Sequence, residues 1–258
     1  MEQAAQTNVI LTARDLEVLD SLYANCVMTF SQIAKRHFPH SAKPTVINRL
    51  SKLQAAKVIR RERIPRMELG NDKQAIGVVF QITRDGILAL RRRGLGRELK
   101  PQPVRIHHYT LHHDLILVDL SAKLKERFAG SIVTNGKLLM GDGQADSVHE
   151  PDLVVTLPGG QAKIAIELEL SDKSEKRYRE IVMRYRLSKE YARVIYFIED
   201  PFIQSLLTRV ILNRSPHRQE RPSTAKFYFS KLSEFINHPN DAPITNGVLD
   251  VREKGGQI

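Results

Sequence analysis

Three carboxylates pose the chemical question in this chain. Asp152 follows Pro151 at the head of the apolar run "DLVVTL", and Glu167 and Glu169 lie near the end of the run "KIAIELEL". The second run alternates as a strand does, with Ile164, Ile166, Leu168 and Leu170 on one face. Glu167 and Glu169 therefore share the other face, roughly 7 Å apart along the chain. Like charges placed side by side repel, so the pattern calls for a cation or open water next to them. A second cluster, "HHYTLHHD", sets His108 and His112 one helical turn apart with His113 and Asp114 beside them. That spacing suits metal ligands and equally suits polar residues at a helix start or on a surface.

The elements that must carry these residues follow in order from residue 107. "HHYTLHHDLILVDLSAKLKERF" is an amphipathic helix with Leu111, Leu115, Val118 and Ala122 on one stripe. "GSIVTNGKLLM" is a strand, a Gly- and Asp-rich loop leads to the strand "PDLVVTL", and "PGG" turns into the strand holding the glutamates. Ser171 is placed to cap a helix over "DKSEKRYREIVMRYRLSKEYA", and "RVIYFIED" is the next strand. A further helix, an edge strand "AKFYFS" and a short helix "KLSEFINH" close the region near residue 238, and 239–258 read as a polar, flexible tail.

The first hundred residues are different in kind. They hold 18 Lys+Arg against 9 Asp+Glu, while residues 101–258 hold 22 against 20, so most of the net charge of +11 sits at the front. Such asymmetry points to a basic module that meets a polyanion, nucleic acid above all. "LTARDLEVLDSLY" and "TFSQIAKRHF" each open with a capping pattern, on Thr12 with Asp15 and on Thr29 with Gln32. Pro44 begins a third helix in which Val46, Ile47, Leu50 and Leu53 are expected to face inward. Two strands follow around "GNDKQ", and "FQITRDGILALRRRG" runs from strand into helix. Over residues 10–95 this order resembles a winged helix-turn-helix. The resemblance implies a third helix in the DNA major groove, with Thr45, Asn48, Arg49 and Lys52 as contacts, and wing arginines Arg60, Arg61, Arg63 and Arg66 near phosphates. Residues 1–95 are thus expected to form a winged-helix DNA-binding domain, 96–106 a linker, and 107–238 a second domain.

The order helix, three strands, helix, strand, together with Pro151-Asp152 and Glu167-x-Glu169, resembles the PD-(D/E)xK nuclease superfamily. The fold class expected is therefore α+β: a winged helix-turn-helix followed by a restriction-endonuclease-like α/β core. The resemblance implies that Asp152, Glu167 and Glu169 converge on Mg2+ or Mn2+, which activates a nucleophile and stabilises charge on a phosphodiester. Where the superfamily pattern has lysine this chain has Glu169, and Lys173, four residues on, is the substitute, with Lys163 in reserve.

Winged helix, "HHDLILVDL" and "PDLVV…IELELSDKSEK" together resemble the MobC-type relaxases and the wider replication-relaxation proteins of mobile elements. That resemblance implies nicking of one DNA strand at a transfer origin. Asp152, Glu167, Glu169, Lys173 and His113 would be the catalytic set, and other mobilization or coupling proteins the partners. The alternative is a DNA-binding replication or transfer regulator with a degenerate nuclease fold. Tyr109, Tyr178, Tyr185 and Tyr191 are all available for a covalent link to DNA. No apolar run reaches the ~20 residues of a membrane span. The single cysteine, Cys26, rules out an internal disulfide framework, and no export signal is visible. A cytoplasmic protein is expected.

Overall fold

In the computed structural model, which describes residues 9–64, 77–95, 103–105, 107–139, 150–160, 162–212 and 224–246, the first helix starts on a reciprocal cap. Thr12 accepts the Asp15 N–H, Asp15 accepts the Thr12 N–H, and α1 (Ala13–Asn25) begins there. Thr29 and Gln32 repeat the device for α2 (Phe30–His37). A cap of this kind is worth about 1 kcal/mol, because helix-end N–H groups otherwise lack partners. α3 (Lys43–Ala55) has Pro44 in its first turn and no side-chain cap. β1 (Met28–Thr29), β2 (Ile59–Arg63) and β3 (Val78–Ile82) form an antiparallel sheet in the order β1-β3-β2. α4 (Arg84–Arg92) is capped by Thr83. In its first turn a Cβ on Gly86 would stand 2.2 Å from the Val58 carbonyl oxygen, so the helix can start this close to its neighbour only with glycine.

Val18, Leu19, Leu22, Ile33, Val46, Leu50 and Leu53 are buried. Ile47, expected inside, is 44% exposed, because three other apolar residues already fill the buried side of α3. Of the expected linker 96–106 only 103–105 are among the described residues. The chain divides into two compact units, Met1–Val118 and Asp119–Ile258, and the division falls inside α5 (Leu111–Arg127). The reason is local packing. Leu111 and Leu115 join Val27, Ile64 and Val79 in one apolar cluster, and Gln32 donates to the Leu115 carbonyl at 2.9 Å.

The second unit is built on a five-stranded mixed sheet. β4 (Ile132–Asn135), β5 (Leu153–Thr156) and β6 (Lys163–Glu169) are antiparallel neighbours; β7 (Tyr191–Ile198) and β8 (Phe227–Lys231) continue in parallel, in the order β4-β5-β6-β7-β8. β6 and β7 are apolar over most of their length because both of their faces are buried, as parallel strands require. On one face, α6 (Glu175–Leu187) and α7 (Pro201–Leu212) pack through Tyr178, Ile181, Val182, Tyr185, Leu207 and Ile211 onto Ala165, Val194 and Phe227. On the other, Phe197 meets Phe235 of α8 (Leu232–Asn237) at 4.7 Å between ring centroids.

Two expectations change here. The helix after β6 is capped by Ser174, not Ser171. Residues 239–246 are no loose tail: Thr245 and Phe229 exchange two backbone hydrogen bonds of 2.8 and 2.9 Å, and Ala242 is buried. Among the described residues no helix is long and apolar enough to cross a membrane.

Candidate carboxylate centre and nucleic-acid face

The sheet register brings the three acids to one edge. Leu153 pairs with Ile166, which places Asp152 beside the end of β6. There the Asp152 side chain takes over the ladder, its Oδ2 accepting the Leu168 N–H at 2.8 Å between the two glutamates. Gly136, just past β4, locks the same corner: its N–H donates to the Asp152 carbonyl at 3.0 Å. A Cβ on Gly136 would fall 1.8 Å from the Pro151 oxygen, so only glycine permits the clamp.

Glu167 and Glu169 lie on the α6 side of the sheet and are each only 2% exposed, not in open water. α6 covers them with hydroxyls. Tyr185 donates to Glu167 Oε1, and Tyr178 donates to Glu169 Oε2 at 3.4 Å. Lys173, 38% exposed and standing in the turn between β6 and α6, reaches back to Glu169 Oε2 at 2.5 Å. That reach depends on the later helix start at Ser174, which leaves Lys173 outside the helix. The far end of α6 is held by Lys226, whose ammonium donates to the Tyr185 and Ser188 carbonyls at 2.6 and 2.7 Å.

These contacts decide the protonation states. Burial pushes the Glu169 carboxyl above its ordinary value; Lys173 pulls it down without cancelling the rise, and Glu167 and Asp152 add to it. Burial first, and the nearby glutamates second, push the phenols of Tyr178, Tyr185 and Tyr196 up, which keeps Tyr178 and Tyr185 protonated as donors to Glu169 and Glu167. Tyr191 is shifted up by burial and then by Glu190. Tyr109 alone among the four candidate tyrosines is open, at 79% exposure, on a 3-10 turn of the first unit.

The acids sit together but do not close on a common point: among the described residues no group of three or more His, Cys, Asp or Glu side chains is gathered as a metal cluster. Their oxygens are the hard donors that Mg2+ or Mn2+ takes. Glu169 Oε1 is buried with no hydrogen-bond partner among the described residues, an acceptor that a cation would satisfy. Lys163 is turned to Glu190, at 2.8 Å, at the opposite end of β6. His113 belongs to the first unit, where its Nδ1 lies 3.9 Å from Asp114. The tyrosine partners of the glutamates were missed from the sequence. Their signal was there, since Tyr178, Ile181, Val182 and Tyr185 form one helical stripe facing a strand with two acids on one side.

On the first unit, Thr45, Asn48 and Lys52 are exposed along α3. Arg49 is turned inward: its Nε donates to Asp15 Oδ1 at 2.7 Å and a terminal nitrogen to the Ile10 carbonyl at 3.1 Å. Burial raises the Asp15 carboxyl, but hydrogen bonds from Arg49 and Thr12 outweigh it and hold the group below its ordinary value. Arg60 donates to its cross-strand partner Gln81 at 2.7 Å, while Arg61 and Arg63 are exposed on the opposite side of β2. Arg66 lies outside the described residues.

No curated protein and no solved structure matches the chain. The sequence model of the replication-relaxation family matches residues 19–196, more than half of the chain and a span that takes in α3, β2, β3 and all three carboxylates. The chain belongs to the replication-relaxation family.

Proposed function

We propose that this protein is a metal-dependent DNA relaxase that nicks one strand at the transfer origin of a plasmid or integrative element. Family membership suggests a replication or relaxation role on plasmid DNA. The nuclease reading is carried by one observation: Asp152, Glu167 and Glu169 stand at one edge of adjacent strands, in the element order α5-β4-β5-β6-α6-β7 expected of a restriction-endonuclease-like core. Asp152, Glu167 and Glu169 would hold Mg2+ or Mn2+, and the ion would supply Lewis-acid stabilisation of phosphodiester charge. Lys173, beside Glu169, replaces the missing in-pattern lysine and neutralises charge that develops on the phosphate. Tyr178, Tyr185 and Tyr191 are buried and protonated, which favours water over these tyrosines as the attacking group. The winged helix would deliver the origin through Thr45, Asn48 and Lys52 in the major groove and Arg61 and Arg63 on phosphates.

A second reading, a DNA-binding replication or transfer regulator, is favoured by the protein donors that already engage each carboxylate. Supercoiled plasmid carrying the element's origin separates the two. The first reading expects open circles with Mg2+ or Mn2+ and a loss of at least ~100-fold in Asp152→Asn and Glu167→Gln. Tight binding with no cleavage under either metal would leave the regulator.

A further inference from the structure

Between α3 and the strands β2 and β3 lies a groove of about 400 Å3, of whose lining only Arg61 enters the proposed function above. Phe30, Ile47, Val78 and Phe80 supply its apolar walls, and Lys43 and Arg61 bring cations from two different elements. Arg61 and Phe80 are direct cross-strand partners, so cation and ring stand on the same side of the wing. No carboxylate is among the described residues that line it. Ile47, left exposed because the buried side of α3 is already filled, borders this space.

We infer that the groove receives one unpaired nucleotide of the DNA strand, the base against the apolar walls and its flanking phosphates on Lys43 and Arg61. Three features favour a nucleotide over other occupants. The volume is of the size that takes a small flat ligand rather than a folded segment. An apolar, ring-bearing surface flanked by cations is the chemistry that holds single-stranded bases without reading their edges. The groove also adjoins the exposed α3 residues and the Arg61 to Arg63 strand, so a strand held by those groups passes its mouth. A base parked here would keep a short stretch of duplex open next to the bound site. The inference rests on the reading of the first unit as a DNA binder.

The full chain is titrated, at one fixed salt concentration, with a fully paired origin duplex and with the same duplex carrying one extra unpaired thymidine. The expected result is about tenfold tighter binding to the bulged duplex, the worth of one stacked base. Ile47→Gln, a neutral change at an exposed position, should erase that preference and leave the paired duplex bound as before. Lys43→Ala should weaken both, the bulged duplex more. Equal affinity of wild type for the two duplexes would overturn the inference, as would a preference that survives Ile47→Gln; either result leaves the groove to a protein segment. If neither duplex binds, the DNA-binding reading itself fails, and that outcome is distinct from the other two.

Discussion

The two units handle charge in opposite ways. The first carries its cations outside: Lys52, Arg61 and Arg63 are exposed on α3 and β2, where water solvates them and a polyanion can replace that water. The second carries its acids inside: Glu167 and Glu169 are buried under α6, and each is held by a named partner. An exposed charge acts by number and position. A buried one acts through its partners, because an uncompensated charge there would cost several kcal/mol. Counting charge along the sequence therefore found the first unit's surface and said little about the second, whose balance is nearly even.

The contrast can be broken by substitution. The largest effect on stability is expected from Lys173→Ala, which leaves Glu169 buried beside Glu167 without its cation. A loss of about 2–3 kcal/mol at neutral pH is expected, below the value for a fully enclosed pair because Lys173 is partly exposed. The pH dependence follows from the raised Glu169 carboxyl. A group raised on folding contributes stability that is full below its unfolded value and fades as pH climbs through its folded value. Removing Lys173 raises the carboxyl further, so the variant should lose more at pH ~7 than at pH ~5 in urea unfolding. A loss independent of pH would mean that the pair does not set the protonation of Glu169.

Next comes Arg49→Ala, at about 2 kcal/mol, since it removes a charged hydrogen bond from the buried Asp15. The lowered Asp15 carboxyl contributes stability above its unfolded value and loses it as pH falls through the folded one. Without Arg49 that acid loss should begin at higher pH, which thermal melts across the acid range will show. Tyr185→Phe should cost about 1–2 kcal/mol by withdrawing the donor from Glu167, with its ring packing retained. The smallest effect is Arg61→Ala: stability within about 0.5 kcal/mol, but a salt dependence of DNA binding reduced by about one phosphate. If Arg61→Ala destabilised the fold as much as Arg49→Ala, the division between inward and outward arginines would be wrong.

Much of the scaffold was legible because its causes are local. The boxes on Thr12 and Thr29 need only residues three apart, and both formed as the spacing predicts. The strand order around Asp152 and the glutamates followed from alternation and turn chemistry. What stayed hidden depended on partners distant in sequence. Arg49 reads as a surface cation until α1 brings Asp15 to it from 34 positions upstream. Ile47 fits the apolar period of α3, yet the buried stripe is narrower than that period suggests. The sequence marks Ser171 as the cap, yet α6 starts three residues later and Ser174 takes that role. The hydroxyls on Glu167 and Glu169 required knowing that α6 runs back across β6, so that Tyr185 meets the earlier acid and Tyr178 the later. Lys163 carried the right chemistry at plausible spacing, but the fold gives it to Glu190 at the opposite end of β6.

The measurement closest to the central claim is whether a divalent cation enters the carboxylate edge. Thermal unfolding of the full chain would be followed over a Mn2+ titration, for wild type and for Asp152→Asn, which keeps an oxygen for the Leu168 N–H and removes the charge. At about 100 times the dissociation constant, a bound ion should stabilise wild type by roughly 2.7 kcal/mol, a rise of several degrees. Asp152→Asn, folded and of similar melting temperature without metal, should show little or none of that rise. No shift in wild type, or the same shift in both proteins, would contradict a metal centre built on Asp152, Glu167 and Glu169.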